Sequence, residues 1–549
     1  MAQPAHRSLY GALGAVCVAL LVTAALPRDD RRALFDEGLA APRFSVDAGG
    51  QVHLAPEADM IVRFTLDGSL PDAGCPVLHD GAVLTPPDPS RWIHLPSSVQ
   101  WRHPVGTAPR ALTVRARSFQ GGRMGPVTTC TLPPASTHHL PVVALSLPPG
   151  ALFDPDTGIY VVGHAVLRDE AEVRASYQRA NKWWRYPGNF HGRGKAWERA
   201  AHWEFFPGPG APSTLNGPVR LRINGNNTRG FAQHALRLLF EEPLDANDPF
   251  ATISGSGHRA LLLRASGNDQ DRTFFRDGLQ HRLCAELPFG TSAQRQCVVY
   301  INGAYWGVHN LRERLDAKEL ARRHGVKTKQ ITVLADDIEL YDGREEEVQR
   351  FSRFLTMAER WEASGSAFVD SLDRRLDIDG FLSYMAAQVV LGNVDWPAQN
   401  VRWWRYTGAA DTARGPRDGR WRYLMGDSDL GFGLTGGKGV DLFARLQEND
   451  APTARLFRAC LRSAALRERW QVILERTAHG PLSAERMVQE ATRMRDEILA
   501  EMPRHIQRWR RPLSVDDWNA HVRDLMDFAT HRTAIVLEQY QAHRNSPTR

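Results

Sequence analysis

Lysine is nearly absent from this chain of 549 residues. Among its 68 basic residues, 62 are arginines, and the lysines are only Lys182, Lys195, Lys318, Lys327, Lys329 and Lys438. The basic residues are interleaved with 62 acidic ones along the whole length, so the net charge of +6 forms no basic stripe. We therefore expect no nucleic-acid partner. Any site that requires a lysine has few candidates.

Cysteine is also scarce, with six residues in the whole chain. No two of them have the spacing of zinc ligands, which argues against a zinc finger or zinc ribbon. If the body of the protein is exported, Cys75 with Cys130 and Cys284 with Cys297 are candidate disulfides. Buried free thiols fit the same pattern equally well.

Long apolar runs are missing except at residues 9–26, which follow Arg7 and end before Pro27 and a charged run. Eighteen residues are just enough to span a bilayer, and the flanking charges are typical of a targeting segment. We interpret residues 1–32 as a signal-anchor, with a cleaved signal peptide as the alternative. The predicted location is membrane-anchored and extracytoplasmic, in the cell envelope, or secreted if the segment is cleaved.

Residues 38–136 alternate short β-type runs with Asp-Gly and Gly-Gly turns, a pattern that predicts a small antiparallel β-sandwich. Within it, residues 64–71 and 114–119 resemble the β-sandwich module at the end of chitobiases and hexosaminidases. That resemblance implies an accessory module, either a weak binder of cell-surface glycan or a spacer.

The remaining chain changes character near residue 314. Strand patterns dominate residues 140–314, interrupted by one helical pattern at 273–286, whereas helical patterns dominate residues 315–549. The chain is too long for one folding unit, and its composition is that of a globular protein. The predicted fold class is α+β: an atypical two-lobed protein-kinase-like fold, preceded by the β-sandwich and an N-terminal hydrophobic helix.

The most informative residues are Asp395 and Asn400, in a D-x-x-x-x-N spacing, followed by Asp427 and Asp429. Phosphoryl transfer needs one carboxylate to orient the attacking hydroxyl, and an amide and a second carboxylate to hold Mg²⁺. The two segments between Asn400 and Asp427 predict a hairpin that brings these residues together at its open end. On its own, the D-x-x-x-x-N spacing also fits a capped turn. Its position before a hairpin that ends in D-x-D favours a phosphoryl-transfer site.

At these residues the chain resembles the CotH family, spore-coat-type proteins with an atypical protein-kinase fold. The resemblance covers about residues 140–435 and rests on four stretches: residues 222–229, 263–269 with 275–277, 299–314, and 395–433. It implies ATP and Mg²⁺, or Mn²⁺, as cofactors. It also implies that Asp395 is the catalytic carboxylate, that Asn400 and Asp427 are metal ligands, and that Asp429 is an additional or alternative ligand.

Further cofactor-binding residues follow from the same resemblance. Gly225 and Arg229 lie in a turn whose backbone N–H groups and guanidinium could meet phosphates, although a plain hairpin turn has the same pattern. Residues 310–314 would form the hinge that receives adenine. Arg312 and Glu313 belong to that hinge, and a structural ion pair is the alternative for both.

One departure affects the function. The strand after this turn, residues 230–240, usually carries a phosphate-binding Lys in the family, but here His234 takes the Lys-like position. Arg229, Arg237 or Lys195 would have to supply the charge, and Arg and Lys are not interchangeable at a phosphate.

Two functions therefore remain open. The first is a kinase that phosphorylates Ser or Thr of exported or surface proteins. The second is a non-catalytic envelope protein that organises other surface components.

Overall fold

The computed structural model describes residues 39–55, 59–134, 138–167, 180–361 and 365–545. The apolar segment at residues 9–26 lies outside the described residues, as does the whole signal-anchor prediction for residues 1–32. Within the described part, no helix combines the length and the apolarity that crossing a bilayer requires. The described residues form a mixed α+β protein, as the sequence predicts.

The N-terminal part is a small antiparallel β unit. Its elements are β1 (Phe44–Val46), β2 (Val52–Leu54), β3 (Ile61–Thr65), the short helix α1 (Ser90–Ile93), β4 (Leu112–Gln120) and β5 (Arg123–Leu132). Strands β1 and β2 pair with each other, and β3, β4 and β5 form a second sheet in that order. Val52, Val62 and Ala116 belong to one small core that the two sheets share, because the β-type alternation turns apolar side chains to one face.

The middle of the chain is a closed seven-stranded barrel. Its elements are β6 (Val142–Ser146), the helix α2 (Gly150–Phe153), β7 (Arg199–Phe206), β8 (Leu215–Asn224), β9 (Ala235–Leu239), β10 (Ala260–Arg264), the helix α3 (Arg276–Leu283), β11 (Gln294–Ile301) and β12 (Ala304–Glu313). The strand order is β10-β12-β11-β6-β7-β8-β9. Neighbours are antiparallel except β11 and β6, which are parallel.

The barrel interior follows from alternation along its strands. In β8, Val219, Leu221 and Ile223 are buried at every second position, and Leu236 and Leu238 of β9 join the same core. The intervening residues of β9 face outward, toward the rest of the molecule. Closure of the barrel leaves no free edge strand there.

The C-terminal part is mainly helical around one small sheet. Its elements are α4 (Ala317–His324), β13 (Ile331–Ala335), β14 (Glu339–Asp342), α5 (Glu346–Arg360), α6 (Ser366–Asp373), α7 (Ile378–Leu391), β15 (Val401–Tyr406), β16 (Arg422–Met425), α8 (Leu442–Glu448), α9 (Pro452–Leu461), α10 (Ala464–His479), α11 (Ala484–Leu499), α12 (Met502–Trp509) and α13 (Val515–Asn545). The sheet order is β14-β13-β15-β16. The largest hydrophobic core of the protein lies among these helices.

Helix α7 is the centre of that core. All its residues except Asp379 are buried, as expected for a helix that is apolar on every side. Asp377 caps its start by accepting a hydrogen bond from the Gly380 N–H, and Gly392 ends it in the left-handed conformation. The loop that carries Asp395 and Asn400 therefore starts from a rigid support.

The N-terminal β unit is docked on the barrel. The Thr131 N–H donates to the buried carboxylate of Glu204 in β7 at 3.0 Å, and the Ala111 N–H donates to the Gly303 carbonyl at 2.9 Å. After β5, the buried ring of His138 contacts Glu501 at 2.9 Å and the Tyr300 hydroxyl at 2.6 Å. Two separate parts of the fold thus hold this chain segment in place.

Candidate active site

The loop after α7 meets the β15–β16 hairpin at its open end. Val401 pairs with Met425, which places Asn400 and Asp427 next to each other and confirms the predicted hairpin. Gly426 permits this approach, because a Cβ there would lie 2.0 Å from the Asn400 carbonyl oxygen. The Asn400 side-chain amide donates to Asp395 Oδ2 at 3.2 Å. Three of the predicted site residues therefore form one group.

Burial raises the pKa of the Asp395 carboxyl above its usual value, and the charge of Asp427 raises it further. Asp427 itself is one-third exposed, so its carboxylate remains open to the solvent side. The carboxylates of Asp395 and Asp427 repel each other, and a divalent cation bound beside them would relieve this repulsion.

Asp427 is also linked to the barrel by a buried ionic chain. Arg264, the last residue of β10, contacts Asp427 at 2.8 Å and Asp277 of α3 at 3.4 Å. Arg312 of β12 donates to the same Asp277 carboxylate. Burial opposes ionisation of Asp277, but the two guanidiniums outweigh it and hold the pKa of Asp277 below its usual range. This chain connects a strand, a helix and the loop of Asp427.

Asp277 also fixes that loop directly. Its Oδ1 accepts hydrogen bonds from the Ser428 N–H at 2.9 Å and from the Ser428 hydroxyl at 3.0 Å. With two arginines and two neutral donors as partners, the Asp277 carboxylate has its hydrogen-bond acceptor sites occupied. Helix α3 therefore determines where Asp427 lies.

Asp429 has a different position from the other predicted metal ligands. It is buried, and its Oδ2 accepts a hydrogen bond from the Asn268 N–H at 2.7 Å. Burial raises the pKa of Asp429 well above its usual value, and the nearby Asp427 adds to the shift. Gly267 lets the two loops approach, since a Cβ there would lie 2.1 Å from Asp429 Oδ2. Asp429 thus ties the β10–α3 loop to the Asp427 loop.

A cleft of about 380 Å³ separates the barrel from the helical part, and Asn400 and Asp427 line it. Its walls also carry five arginines: Arg237, Arg264, Arg312, Arg314 and Arg402. Burial, together with the neighbouring Arg314, lowers the pKa of Arg237 to about 9. Cations that repel one another in a concave surface form a site for an anion.

Tyr341 shows how closely these cations gather. The Arg402 guanidinium lies 4.2 Å from the centre of its ring, and Arg314 donates to its hydroxyl at 3.1 Å. Burial acts to raise the pKa of Tyr341, but Arg402, Arg314 and Arg237 together lower it. Polar atoms on the same walls have no hydrogen-bond partner among the described residues: Gln233 Oε1, Arg237 Nε and Arg314 Nε.

Gly225 lines the cleft with φ of 111°, a conformation that favours glycine. Arg229, predicted beside it as a phosphate ligand, instead donates to four backbone carbonyls of its surroundings: Gly225, Phe190, Gly192 and Ile223, at 2.7 to 3.0 Å. The side chain is buried in these contacts. The geometry assigns Arg229 to holding the turn rather than to a ligand.

The sequence predicts His234 at the Lys-like position of β9, but this prediction is wrong. The strand begins at Ala235, so His234 lies in the segment that precedes it. Its ring is fully buried against Tyr160 and Phe190, and burial lowers its pKa to about 3. Arg237 is the β9 residue with a charged side chain in the cleft wall, bound to Asn224 at 2.8 Å.

Arg312 and Glu313 end β12 and do not pair with each other. Arg312 contacts Asp277, whereas the Glu313 carboxylate contacts His258 at 2.9 Å and also Arg323. Burial lowers the pKa of His258, but Asp248 and Glu313 outweigh it and raise that pKa to about 10.

His258, Glu313 and Glu319 bring ligand atoms close enough for a metal in the described part of the chain. Both imidazole nitrogens of His258 are taken, by Asp248 at 2.6 Å and by Glu313 at 2.9 Å. A metal needs a neutral imidazole, so this protonated, arginine-paired group does not fit one.

Residues 221–536 match the family model described as CotH kinase protein. This chain belongs to the CotH kinase family. Among curated proteins, no match to the chain was found. The CotH match runs from β8 to α13 and so contains Asp395, Asn400, Asp427 and the arginine-lined cleft.

Sequence reasoning overlooked Arg264 and Asp277 as site residues of this CotH family member. Both lie within the stretches that carried the resemblance, but neither received a role. Alternation in β10 was the available signal: Leu261 and Leu263 are fully buried in the barrel, whereas Leu262 and Arg264 line the cleft. The partner Asp277 follows 13 residues later, and only the tertiary fold brings it near.

Proposed function

We propose that this protein is an ATP- and Mg²⁺-dependent kinase, with Mn²⁺ as an alternative metal, that phosphorylates Ser or Thr of exported or surface proteins. One observation carries the proposal. In the ionic chain, Arg264 bridges Asp277 and Asp427, and Asp395 is hydrogen-bonded to Asn400; Arg264, Asp427 and Asn400 line the same cleft. Family membership supports kinase-related chemistry in general.

The roles follow from the parts that protein kinases use. In those enzymes a strand lysine pairs with an acidic residue of the following helix, one Asp holds the metal, and a catalytic loop supplies an Asp and an Asn. In this proposal Arg264 takes the place of the lysine, Asp277 that of the helix acid and Asp427 that of the metal-binding Asp. The barrel and the helical part would then be the two lobes.

Asp395 is the proposed base for the acceptor hydroxyl. It takes the hydroxyl proton as the new O–P bond forms and the bond to the ADP leaving group breaks. Its raised pKa makes it a better base than an exposed aspartate. The Asn400 amide holds Asp395 Oδ2 in place, which leaves Oδ1 of Asp395 for the hydroxyl.

Asn400 and Asp427 are the proposed metal ligands, and their hard oxygen atoms fit Mg²⁺. Asn400 donates to Asp395 through its nitrogen, so its carbonyl oxygen stays available. Bound Mg²⁺ would supply neutralisation of phosphate charge.

Arg237, Arg314 and Arg402 are the proposed phosphate ligands. Guanidiniums bind phosphate oxygens through planar, charge-assisted hydrogen bonds, and the unpartnered Nε atoms of Arg237 and Arg314 support this role. These arginines would supply the phosphate-binding charge that His234 does not carry, whereas Arg264 would take over the pairing with the helix acid.

The proposed acceptors lie outside the cytoplasm, because residues 9–26 have the pattern of an export signal that anchors the chain. The N-terminal β unit would contact a cell-surface glycan or act as a spacer; its resemblance to the chitobiase module remains a prediction.

The contact between Arg264 and Asp427 favours a second candidate, a non-catalytic envelope protein. At 2.8 Å the guanidinium neutralises the carboxylate that a metal would use. A site locked in this way could organise other surface components without transferring phosphate.

A direct assay separates the two candidates. Full-length protein in detergent is incubated with γ-labelled ATP and Mg²⁺ or Mn²⁺, and phosphorylated Ser or Thr is identified by mass spectrometry. Transfer by wild type and Asp450→Asn, a control at a 96% exposed carboxylate, but not by Asp395→Asn, supports the kinase. A rise in Tm with a nonhydrolysable ATP analogue, without any transfer, supports the non-catalytic protein.

A further inference from the structure

The strand that follows Asn400 has a neighbouring strand on each side. Strand β15 lies between β16 and β13 in its sheet, and its first residue, Val401, pairs with Met425 of β16. On the other side, β13 ends at Ala335, and the next residue, Asp336, lies opposite Val401. Asp336 belongs to none of the four stretches that carry the CotH resemblance, and the proposed kinase chemistry gives it no role.

Asp336 completes its pairing with Val401 through its side chain. In an antiparallel sheet, the two residues of a hydrogen-bonded pair exchange two backbone hydrogen bonds. The Asp336 N–H donates to the Val401 carbonyl at 3.0 Å. The Val401 N–H donates to Oδ1 of Asp336, also at 3.0 Å. The carboxylate thus takes the place of a backbone carbonyl at the last pair between β13 and β15.

The backbone conformation of Asp336 accounts for this substitution. Its φ is 45°, in the left-handed region, and the strand therefore ends there and turns toward β14. Aspartate and asparagine enter this region more readily than other non-glycine residues. Both also carry an oxygen on Cγ, which is the atom that receives the Val401 N–H here. The position therefore requires an acceptor oxygen on a short side chain.

This hydrogen bond controls the orientation of Asn400. The Val401 N–H and the Asn400 carbonyl belong to one planar peptide unit, so Oδ1 of Asp336 fixes that unit and the direction in which the Asn400 side chain leaves the backbone. Asn400 itself is in the left-handed region, with φ of 61°. Its carbonyl oxygen is held close to Gly426 on the other side. Asp336 and the hairpin thus hold Asn400 between them.

The charge of Asp336 is unfavourable in its own surroundings. Burial raises the pKa of its carboxyl, and the neighbouring Glu339 and Asp337 act in the same direction. The Val401 N–H and Arg402 oppose this shift in pKa without cancelling it. The acceptor oxygen of Asp336, rather than its charge, is therefore what the surrounding structure uses.

We propose that Asp336 is a positioning residue for metal binding, which holds the Asn400–Val401 peptide unit so that the Asn400 side chain meets the metal. This role rests on the proposed function, in which Asn400 and Asp427 are the metal ligands. Asp336 acts through Asn400 and is not itself a ligand. Groups that orient metal ligands typically contribute about 10–100-fold to metal affinity.

The test measures Mn²⁺ binding by full-length protein in detergent, without nucleotide, from the electron paramagnetic resonance signal of free Mn²⁺. Asp336→Gly tolerates the left-handed backbone but lacks the acceptor, so it should weaken Mn²⁺ binding at least about tenfold. Asp336→Asn keeps an oxygen that accepts the Val401 N–H and should bind Mn²⁺ as wild type does. Asp59→Gly is the matched control, at an aspartate of the N-terminal β unit with φ of 61°, and should also match wild type.

Asp427→Asn separates the positioning role from the proposed function. If wild type does not bind Mn²⁺ at millimolar concentration, or if Asp427→Asn binds it equally well, the cleft does not hold the metal and both are overturned. If Asp427→Asn loses Mn²⁺ whereas Asp336→Gly keeps wild-type affinity, only the positioning role is overturned.

The comparison of Asp336→Asn with Asp336→Gly decides between geometry and charge. Equally weak Mn²⁺ binding by both variants overturns the positioning role, because the charge of Asp336 then matters and not its acceptor oxygen. Tm without Mn²⁺ shows that each variant is folded. If Asp336→Gly is not, Asp336→Glu provides the test: it keeps the charge but displaces the acceptor, and it should also weaken Mn²⁺ binding about tenfold.

Discussion

Two buried ionic clusters lie on either side of the end of β12, and consecutive residues of one strand belong to them. Arg312 enters the cluster of Asp277, Arg264 and Asp427, whereas Glu313 enters that of His258, Asp248, Glu319, Arg322 and Arg323. The first, the open cluster, ends at the partly exposed Asp427. The second, the closed cluster, surrounds a fully buried His258 whose two ring nitrogens are both paired.

The difference shows how to separate function from stability in a charged interior. In the closed cluster each charge faces an opposite one, so removing a partner leaves a buried charge uncompensated. In the open cluster Asp427 pairs with Arg264 but is one-third exposed and lies beside the Asp395–Asn400 pair, so a ligand can reach its carboxylate. We expect changes in the open cluster to cost activity and changes in the closed cluster to cost stability.

The largest expected effect is on catalysis. Asp427→Asn should lower phosphoryl transfer at least about 10³-fold, roughly 4 kcal/mol, because the amide lacks the charge that a metal ligand supplies. Its Tm should change by less than about 3 °C, since the side chain is one-third exposed. The rate of transfer and the melting curve check this. A variant that unfolds but remains active per folded molecule would contradict the comparison.

His258→Leu should have the opposite outcome. Removal of the cation leaves Asp248 and Glu313 buried without it, and breaking a buried pair costs about 3–5 kcal/mol of unfolding free energy. Activity per folded molecule should match wild type, because His258 does not line the cleft. The matched control is His531→Leu, at a half-exposed histidine of α13, which should barely change Tm. Equal stability of the two variants would show that the closed cluster is dispensable.

The pH dependence of stability should identify His258 specifically. Its pKa is about 10 in the folded protein and 6.5 when unfolded, so the folded state binds the proton more tightly. This stabilisation is complete below pH 6.5 and is lost as the pH rises through 10. Wild type should lose up to about 3 kcal/mol between pH 6.5 and pH 9 from this group. Melting curves of His258→Leu should lack that component; an identical slope would assign it elsewhere.

The smallest expected effect concerns the arginines of the cleft. Arg402→Gln should weaken binding of a nonhydrolysable ATP analogue with Mg²⁺ about tenfold, or roughly 1.4 kcal/mol, by removing one charge-assisted contact. Arg417→Gln, at a half-exposed arginine paired with Asp411, is the control of equal charge change. If both variants bind equally, the arginines do not contact the phosphates.

Much of this site was accessible from sequence because its signals are local. The alternation between Asn400 and Asp427 predicted the hairpin, and the pairing of Val401 with Met425 confirms it. The resemblance to the CotH family is likewise confirmed by the family match. Each signal depends on residues close together in the chain, where strand period and turn residues are informative.

The remaining site residues depend on information that no local pattern holds. His234 precedes β9 by one residue, and a shift of one residue in a strand exchanges its two faces. Arg229 is in the expected turn, but only the fold shows that four carbonyls use its donors. Arg264 and Asp277 become recognisable as a pair only through the contact between β10 and α3.

The docking of the segment after β5 has a mechanical consequence. A pulling force applied at the N-terminal end of the β unit would pass through Thr131 and His138. Their hydrogen bonds to Glu204, Tyr300 and Glu501 carry it to the barrel and to the residue that precedes α12. These anchor points lie outside the cleft wall. A chain stretched from that end would therefore distribute tension away from Asp395, so the arrangement of Asp395 and Asn400 would persist under tension.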